Sequence, residues 1–248
     1  MENTTIKICH LYPDTLNLYG DSGNITCMQK RLEWRGINTE VYDISLGQNF
    51  NPNDYDIFFI GGGQDFEQSV LLEDLKGEKG KNIIKAVEDE KVFLSICGGY
   101  QMLGQYYKTW DGKQCDFLGA LNLYTIGEKK RMIGDFSFKL DEVDGGHTVV
   151  GFENHSGKTY LGDGVRPLGT IIKGHGNNSK DGGEGARYKN VFASYSHGPL
   201  LPKNPKLCDL ILKTALLRKN PNVTLTELDD TFENNAFNFM ERRLNNTK

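Results

Sequence analysis

The sequence predicts an α/β fold with a mainly parallel central sheet covered by helices on both faces. Five short runs are predicted to be strands, at residues 6–11, 39–43, 57–60, 92–96 and 191–194. Apolar residues recur at helical spacing in segments between or after these runs, at residues 25–34, 82–88 and 205–217. Strands that alternate with helices form βαβ units, and such units place ligand sites at the carboxyl ends of the strands.

A second region departs from this alternation. Between residues 117 and 160, short β-like runs such as 136–140 and 149–152 are separated by glycines without a clear helix. We interpret them as antiparallel strands added to the core. The glycine-rich residues 174–185 are predicted to form a loop.

The length fits one domain. A chain of 248 residues can bury a full hydrophobic core as a single α/β unit. We expect one domain over residues 1–248, with a core at about 6–217 and a C-terminal helical extension at 218–248. Within that extension, residues 225–243 are predicted to form a polar helix.

Composition narrows the functional classes. The chain is 38% hydrophobic and 25% charged with a net charge of -4, which argues against a nucleic-acid partner. The sequence contains neither a secretory signal nor an apolar stretch of about 18 residues, the length that a membrane span needs. Its five cysteines lack C-x-x-C spacing and suit reduced thiols. A cytoplasmic location is therefore expected.

The strongest chemical signal is a cysteine between an apolar strand and a helix. Residues 92–96 lead into Cys97, which Gly98, Gly99 and a helix-like run follow. This is the outline of a nucleophile elbow, whose tight turn needs small neighbours such as Ser95 and the two glycines. A helix N-terminus also favours the thiolate. The alternative is an inert buried cysteine, because free cysteine is among the most buried residue types.

A thiol nucleophile needs a base within hydrogen-bond reach. His197 is the preferred candidate because it lies just past a strand end in Ser-Tyr-Ser-His-Gly-Pro, at the expected ligand edge of the sheet. His155 and His175 remain rivals. His10, on a strand, is expected to be structural, and His147 to be solvated.

Acyl chemistry also needs donors for a developing oxyanion. The triplet of residues 61–63 after its strand, together with the backbone N–H of Gly98, is a candidate source, although three glycines also simply make a tight turn. The sequence lacks a phosphate loop and shows no metal-ligand spacing. Arg131 lies in a basic run and has the planar fork that clamps a carboxylate, but most such arginines are solvated.

Taken together, these segments resemble the cobyric-acid-synthase-like branch of class I glutamine amidotransferases. Three further segments resemble glutaminase subunits of lipid II isoglutaminyl synthases: Leu-Asn-Leu-Tyr-Gly-Asp-Ser-Gly-Asn at 16–24, Gly-Phe-Glu-Asn-His-Ser-Gly at 151–157 and Gly-His-Gly-Asn-Asn at 174–178. The likeness runs from about residue 6 to 217. It implies a flavodoxin-like three-layer sandwich.

The resemblance also implies a function and site residues. Cys97 is the nucleophile and His197 the base, Gly63 and Gly98 form the oxyanion hole, and Arg131 and Gln101 bind L-glutamine. No cofactor is expected in this chain. A Mur-ligase-like partner would use ATP and Mg²⁺ to activate the D-glutamate α-carboxyl of the lipid II stem peptide, and ammonia from this chain would convert it to D-isoglutamine.

Two departures from the broader class I pattern matter. Ser95 stands where a glycine usually precedes the elbow cysteine by two positions, and Pro199 stands where a glutamate usually orients the base. We therefore expect a Cys-His dyad here, with the third group supplied by an acidic residue of the partner, and an isolated chain that hydrolyses glutamine poorly.

Three other functions compete with this interpretation. The same chemistry serves corrinoid amidation, although those proteins usually carry the ATP-using domain on the same chain. A cysteine hydrolase or redox sensor on a flavodoxin-like sheet also has an elbow cysteine, but leaves Arg131 without a role. A catalytically dead binding module would retain the sheet and lose the dyad.

Overall fold

The computed structural model describes residues 4–63, 65–140, 142 and 146–246 of the chain. The two ends of the predicted domain, residues 1–3 and 247–248, lie outside the described residues. Among the described residues, no helix combines the length and the apolar character that crossing a bilayer requires.

The strands of the described residues, in chain order, are β1 (Thr5–Leu11), β2 (Asn38–Ile44), β3 (Ile57–Ile60), β4 (Val92–Ile96), β5 (Tyr106–Lys108), β6 (Gln114–Asp116), β7 (Leu123–Leu140), β8 (His147–Leu161), β9 (Gly169–Lys173), β10 (Gly183–Glu184), β11 (Ala186–Tyr188), β12 (Val191–Ser194) and β13 (Ser196–His197). The α-helices are α1 (Gly23–Glu33), α2 (Asp65–Lys76), α3 (Glu78–Glu88), α4 (Gly98–Met102), α5 (Pro205–Lys219) and α6 (Thr231–Asn246).

The first sheet has the order β11-β12-β4-β3-β1-β2. Its neighbours pair in parallel except for β11, which is antiparallel to β12. Every residue of β3, β4 and β12 is buried, as expected for strands covered on both faces. Helix α1 packs against α5, and α2 against α3. The predicted α/β fold with a mainly parallel central sheet is confirmed.

The second sheet is mostly antiparallel and is built around the long hairpin of β7 and β8. The prediction of added antiparallel strands is confirmed, but these strands are much longer than the short runs expected from the glycines. β7 has 18 residues and β8 has 15. The two sheets meet near the C-terminal end of β12, where the short strand β13 leaves the first sheet and pairs with β8.

Glycines within the hairpin permit close packing, which is why they do not end its strands. A Cβ atom on Gly151 would lie 1.9 Å from the Ser196 hydroxyl oxygen, and one on Gly157 would lie 2.5 Å from the Gln101 side-chain nitrogen. Extended strands tolerate glycine where another part of the chain approaches this closely. The sequence pattern alone cannot distinguish such glycines from turn glycines.

The C-terminal extension begins its helix later than predicted, at Thr231 instead of residue 225. The preceding segment is held by two arginine side chains, one on α1 and one just after that helix. The Arg31 guanidinium, only 1% exposed, donates to Asp209 of α5 at 2.8 Å and to Asp230 at 2.6 Å, and Arg35 Nε donates to the Thr226 carbonyl at 2.7 Å. A helix that began at residue 225 would have to break these contacts, because they involve the Thr226 carbonyl and the Asp230 side chain.

We expect Gly151→Ala to lower the free energy of unfolding by roughly 1–3 kcal/mol, because the new methyl group overpacks the contact with Ser196. Urea denaturation of the purified chain measures the change. Ser156→Ala, on the same strand and only partly buried, is the matched control and should stay within about 0.5 kcal/mol of the parent. Equal stability of the two variants would contradict the close approach of β8 and β13.

Candidate active site

Cys97 lies at the turn between β4 and α4 with the backbone of a nucleophile elbow. Its φ is 48° and its ψ is -104°, a conformation that an L-residue other than glycine rarely adopts. The residue is 6% exposed. Strained backbone of this kind costs on the order of 1–3 kcal/mol and concentrates at functional sites. The predicted elbow geometry at Cys97 is present.

The neighbours of Cys97 explain why the turn needs small residues. A Cβ atom on Gly99 would lie 2.6 Å from an Ile60 methyl carbon and 2.8 Å from the Gly61 carbonyl oxygen. Ser95 is fully buried in β4, so a residue slightly larger than the usual glycine fits there. The Cys97 N–H donates to the Ser194 carbonyl at 2.8 Å, which ties the elbow to the end of β12.

His197 is fully buried beside the elbow. Three groups of the site meet at Gly62: a Cβ atom there would lie 2.6 Å from His197 Cε1, 2.9 Å from Asp21 Oδ2 and 3.3 Å from Cys97 Cβ. Only a glycine fits between these groups. The structure therefore brings together Cys97 and His197, the two residues that the sequence selected as nucleophile and base.

Asp21 was not identified from the sequence. It follows a 3-10 turn at Leu18–Gly20 and precedes α1, and its side chain is completely buried. Its Oδ1 atom lies 3.2 Å from His197 Nδ1, and its Oδ2 atom accepts the Gly62 N–H at 2.8 Å. Nothing local in the sequence marks this role, because the two residues of the pair are 176 positions apart.

Burial alone would lower the pKa of His197, but the negative charges of Cys97 and Asp21 outweigh burial and raise it to about 10. The imidazole therefore holds its proton at neutral pH when the sulfur is ionised.

The rival histidines are engaged elsewhere. The ring of His155 stacks on that of Tyr195 with centroids 3.7 Å apart, and its Nδ1 lies 2.8 Å from the Gly157 carbonyl oxygen. His175 Nδ1 lies 2.8 Å from a carboxylate oxygen of the buried Glu153. Of the other two, His10 is buried on β1 as expected. His147 is half-buried instead of solvated, because its ring stacks on an aromatic side chain of α6.

The glycine triplet lies next to the elbow, since the Gly99 N–H donates to the Gly61 carbonyl at 3.2 Å. Within the triplet, the Gly62 N–H is already used by Asp21. Gly98 is the first residue of α4. The roles of Gly63 and Gly98 as oxyanion donors remain predictions.

Arg131 lies in a bulge of β7. Gly127 pairs with Gly157 and Met132 with His155, so four residues of β7, 128–131, face one residue of β8. Bulges of this kind re-aim a side chain. The exposed guanidinium donates to Asn154 through Nε at 2.7 Å to the side chain and through Nη2 at 2.9 Å to the carbonyl oxygen.

Asn154 and Tyr19 together link Arg131 to His197. The Asn154 amide nitrogen donates to the Tyr19 hydroxyl, and the Tyr19 ring packs edge-on against His197 with centroids 4.8 Å apart. Tyr19 is 43% exposed, so it lies between solvent and His197. The sequence pointed to Arg131 only through the family resemblance. Tyr19 lies in residues 16–24, a segment that carries the same resemblance, but the sequence indicated no role for it.

Gln101 is buried one helical turn after Cys97. Its side-chain nitrogen donates to the Tyr195 hydroxyl at 3.1 Å, and that hydroxyl also lies 2.5 Å from the Thr159 hydroxyl. The amide is therefore part of a buried network behind the elbow. Its predicted contact with glutamine remains a prediction.

The glycine-rich loop supplies a buried carboxylate to the same strand end. Glu184 Oε1 accepts from the Ser194 hydroxyl at 2.7 Å and from the Tyr195 N–H at 2.8 Å. The Ser194 oxygen accepts in turn from the Ser196 N–H at 2.9 Å. Glu184 thus holds the three residues that precede His197, a function of this loop that glycine content alone could not reveal.

The fold is an α/β sheet with a cysteine on a strained elbow beside a buried histidine, and the comparisons with known proteins define the class. Residues 7–205 match the CobB/CobQ-like glutamine amidotransferase domain family, and the chain belongs to this family of glutamine amidotransferases. The match covers both Cys97 and His197.

Within that family, the chain resembles one group along most of its length. It is 45% identical to the lipid II isoglutaminyl synthase (glutamine-hydrolyzing) subunit GatD of Streptococcus pneumoniae, over 86% of this chain and 82% of the relative. Identity to the subunit of the same name from Staphylococcus aureus is 41%, over 98% of both chains. The resemblance inferred from the sequence motifs is confirmed.

More distant relatives are longer proteins. The probable cobyric acid synthase of Methanothermobacter thermautotrophicus is 37% identical over 46% of this chain, a match that spans 25% of the relative. Among solved structures, a chain of PurLQS from Thermotoga maritima superposes with a TM-score of 0.57 at 15% identity, covering 87% of this chain and 99% of that one. A glutamine amidotransferase from the same organism gives 0.51 at 13% identity, covering 97% and 92%. At these identities the structures support the fold.

Glu184→Gln should remove a pH dependence from the stability of the chain. Burial raises the pKa of Glu184 to about 7, so its proton is bound more tightly in the folded state than in the unfolded state. The resulting stabilisation is complete below the ordinary glutamate pKa and is lost as the pH rises through about 7. Between about pH 5 and about pH 8, the free energy of unfolding of wild type should therefore fall by up to roughly 3 kcal/mol relative to that of Glu184→Gln.

Urea denaturation of both proteins at the two pH values measures this difference. Glu227→Gln replaces an exposed glutamate and is the matched control. The difference in free energy of unfolding between wild type and Glu227→Gln should be the same at both pH values. If Glu184→Gln tracked wild type at both pH values, the carboxyl would not be buried as the structure places it.

Proposed function

We propose that this chain is the glutaminase subunit of a lipid II isoglutaminyl synthase, which releases ammonia from L-glutamine for a second, Mur-ligase-like subunit. The hydrolytic chemistry is supported by Cys97 on a strained elbow beside the buried His197. The subunit assignment is supported by end-to-end similarity to relatives that carry this name, at 41% identity over 98% of both chains.

The reaction begins with attack of the Cys97 thiolate on the side-chain amide carbon of glutamine. The protonated imidazole of His197 lies beside the sulfur, and backbone N–H groups of Gly63 and Gly98 hold the oxyanion. Collapse of this intermediate breaks the carbon–nitrogen bond, and His197 gives its proton to the leaving ammonia. Neutral His197 then takes a proton from water, which hydrolyses the γ-glutamyl thioester and releases glutamate.

Arg131 and Tyr19 form the mouth of this site. The guanidinium has five N–H donors in a planar fork and is exposed, so it can take the α-carboxylate of glutamine while its contacts with Asn154 hold it in place. Tyr19 covers the edge of His197 from solvent. The mouth is therefore suited to bind the α-carboxylate end of glutamine, with the side-chain amide directed inward to Cys97.

Ammonia is useful only if it reaches its acceptor before it is protonated, so a sealed path to the partner is part of the proposal. The partner carries ATP and Mg²⁺ and activates the D-glutamate α-carboxyl of the lipid II stem peptide, which ammonia converts to D-isoglutamine. A complex of the two subunits in the cytoplasm is the expected functional form.

Corrinoid amidation is the weaker assignment. The match to a probable cobyric acid synthase spans only 25% of that protein, whereas the GatD subunits match over most of both chains. The remaining length of the cobyric acid synthase has no counterpart in this alignment. The whole-chain similarity therefore favours a separate glutaminase subunit.

Cys97→Ala should abolish glutamine-dependent amidation by the complex and leave ammonium-dependent amidation intact. Cys97 is needed only to liberate ammonia, and the ligase chemistry lies in the partner. The measurement is incorporation of amide nitrogen into lipid II by the co-purified subunits, supplied with either glutamine or ammonium chloride. Cys115→Ala changes a half-buried cysteine on β6 and is the matched control, expected to support both reactions.

Glutamine-dependent amidation that survived Cys97→Ala would exclude this cysteine as the nucleophile. Glutamine hydrolysis without any transfer to lipid II, in a complex that amidates lipid II with ammonium, would exclude the proposed coupling.

Arg131→Ala should raise the KM for glutamine by roughly ten- to a hundredfold, because it removes a charge-assisted bidentate contact with the substrate carboxylate. Arg131→Lys should recover only part of this, since an ammonium group is a point charge without the planar fork. Steady-state glutamate release by the complex gives KM and kcat. Arg218→Ala, on the exposed face of α5, is the control. An unchanged KM in Arg131→Ala would rule out the carboxylate contact.

A further inference from the structure

Two cysteines face each other between helices α1 and α5. The sulfur atoms of Cys27 and Cys208 lie 3.9 Å apart, although the two residues are 181 positions apart in the chain. Both are free thiols. A disulfide bond needs a sulfur–sulfur distance of about 2 Å, so the two atoms have to approach each other by only about 2 Å. The structure therefore holds a dithiol outside the site described above.

A buried ion pair keeps the two helices close at this level. Arg31, one helical turn after Cys27, donates through Nε and Nη2 to the two carboxylate oxygens of Asp209, both at 2.8 Å. Asp209 directly follows Cys208 in the sequence. Bidentate contacts of this kind fix the relative position of the two groups. The neighbours of the two thiols therefore hold them in contact.

The two thiols differ in their access to solvent. Cys27 is half-buried and lines a cleft of about 330 Å³ together with Thr26, Trp34 and Pro202. Cys208 is completely buried. Burial and the contact with Cys27 raise the pKa of Cys208 well above its usual range. A small oxidant in the cleft therefore meets Cys27 first, and Cys208 stays a thiol beside it.

We propose that Cys27 and Cys208 are a redox-active pair that a hydroperoxide converts to a disulfide between α1 and α5. In the first step the Cys27 sulfur attacks the peroxide, and the oxygen–oxygen bond breaks. Cys27 becomes a sulfenic acid, and the rest of the peroxide leaves with the thiol proton as an alcohol or water.

In the second step the Cys208 sulfur attacks the sulfur of the sulfenic acid. The sulfur–sulfur bond forms, the sulfur–oxygen bond breaks, and the proton of Cys208 leaves with the hydroxyl group as water. The two sulfur atoms together give two electrons to one peroxide. Two equivalents of a small thiol reverse the change by thiol–disulfide exchange and are themselves oxidised to a disulfide.

The bond would join α5 to the helix that supports the loop after His197. The first turn of α1 packs on this loop, because a Cβ atom on Gly23 would lie 2.6 Å from the Pro199 Cγ atom. The Asn24 side-chain oxygen also accepts the Leu201 N–H at 2.9 Å. A disulfide at Cys27 therefore restrains the helix on which this loop rests. In reducing compartments, disulfides are usually transient and sense redox conditions, which suits a reversible pair of this kind.

The first test is oxidation of the full chain carrying Cys97→Ala, which removes the elbow thiol as a competing target. The chain has five cysteines, so this variant has four. A small molar excess of hydrogen peroxide should lower the number of thiols titrated in denaturant from four to two, and dithiothreitol should restore four. Mass spectrometry after non-reducing digestion should find the Cys27 and Cys208 peptides joined, with the loss of two hydrogen atoms.

Two further substitutions in the same background serve as controls. Cys27→Ser should abolish the joined peptides, because the accessible thiol is gone. Cys115→Ser removes another half-buried thiol, on β6, and should leave the joined peptides unchanged.

The second test measures stability. The disulfide links residues 181 positions apart and so restricts the unfolded chain, which should raise the midpoint of urea denaturation by on the order of 1 M. Dithiothreitol should return the midpoint to its starting value. Each protein is compared before and after peroxide, so the test holds even if Cys27→Ser itself lowers stability. In Cys27→Ser, peroxide should not raise the midpoint.

Two cysteines that remain thiols under peroxide would overturn the proposal, and so would Cys27 that proceeds to a sulfinic acid without bonding Cys208. Joined peptides that form only when the chain is oxidised in urea would also overturn it, because the folded structure would not bring the thiols together. None of these results bears on the proposed function, which the Cys97→Ala complex tests separately.

Discussion

The parallel pairing of β3, β4 and β12 is the constraint on which the site depends. Ile60 pairs with Ser95, and Ser194 pairs with Ile96, so the three strands end within about one residue of each other. The glycine triplet, Cys97 and the residues that lead to His197 therefore lie at one edge of the sheet. This common edge also provides the neighbours that hold Cys97 at a φ of 48°. Backbone dihedral angles of this kind persist only where contacts with several surrounding elements hold them in place.

Cys97 and His197, the proposed nucleophile and base, are positioned by different sheets. Cys97 directly follows β4 of the parallel sheet, whereas His197 lies on β13, opposite Phe152 of the antiparallel hairpin. The distance between them is consequently set by how the two sheets pack at Ser194–Ser196. Gly151 permits the close approach there, and Glu184 fixes the backbone through Ser194 and Tyr195. Packing between the sheets is thus part of the catalytic geometry.

The sequence predicts well what depends on local pattern. The five core strands, the helices α1 and α5, the elbow at Cys97 and the position of His197 near it all followed from apolar runs and from residues at strand ends. It predicts poorly what depends on tertiary contact. Glycines that allow close packing in β7 and β8 were interpreted as breaks, since the sequence does not show what approaches them. Asp21 was missed because its loop has no periodicity and its partner is 176 residues away.

One short segment, residues 17–21, connects Arg131, the proposed substrate-binding residue, to His197. Tyr19 packs on the His197 ring and accepts a hydrogen bond from Asn154, which in turn holds the Arg131 guanidinium. Two residues later, Asp21 bonds the same histidine at Nδ1. Tyr19 has a φ of 59°, so the backbone of this segment is itself strained and depends on these contacts. A ligand bound to Arg131 is therefore connected to His197 through the side chains of Asn154 and Tyr19. The backbone from Tyr19 to Asp21 extends this connection to the second contact of His197.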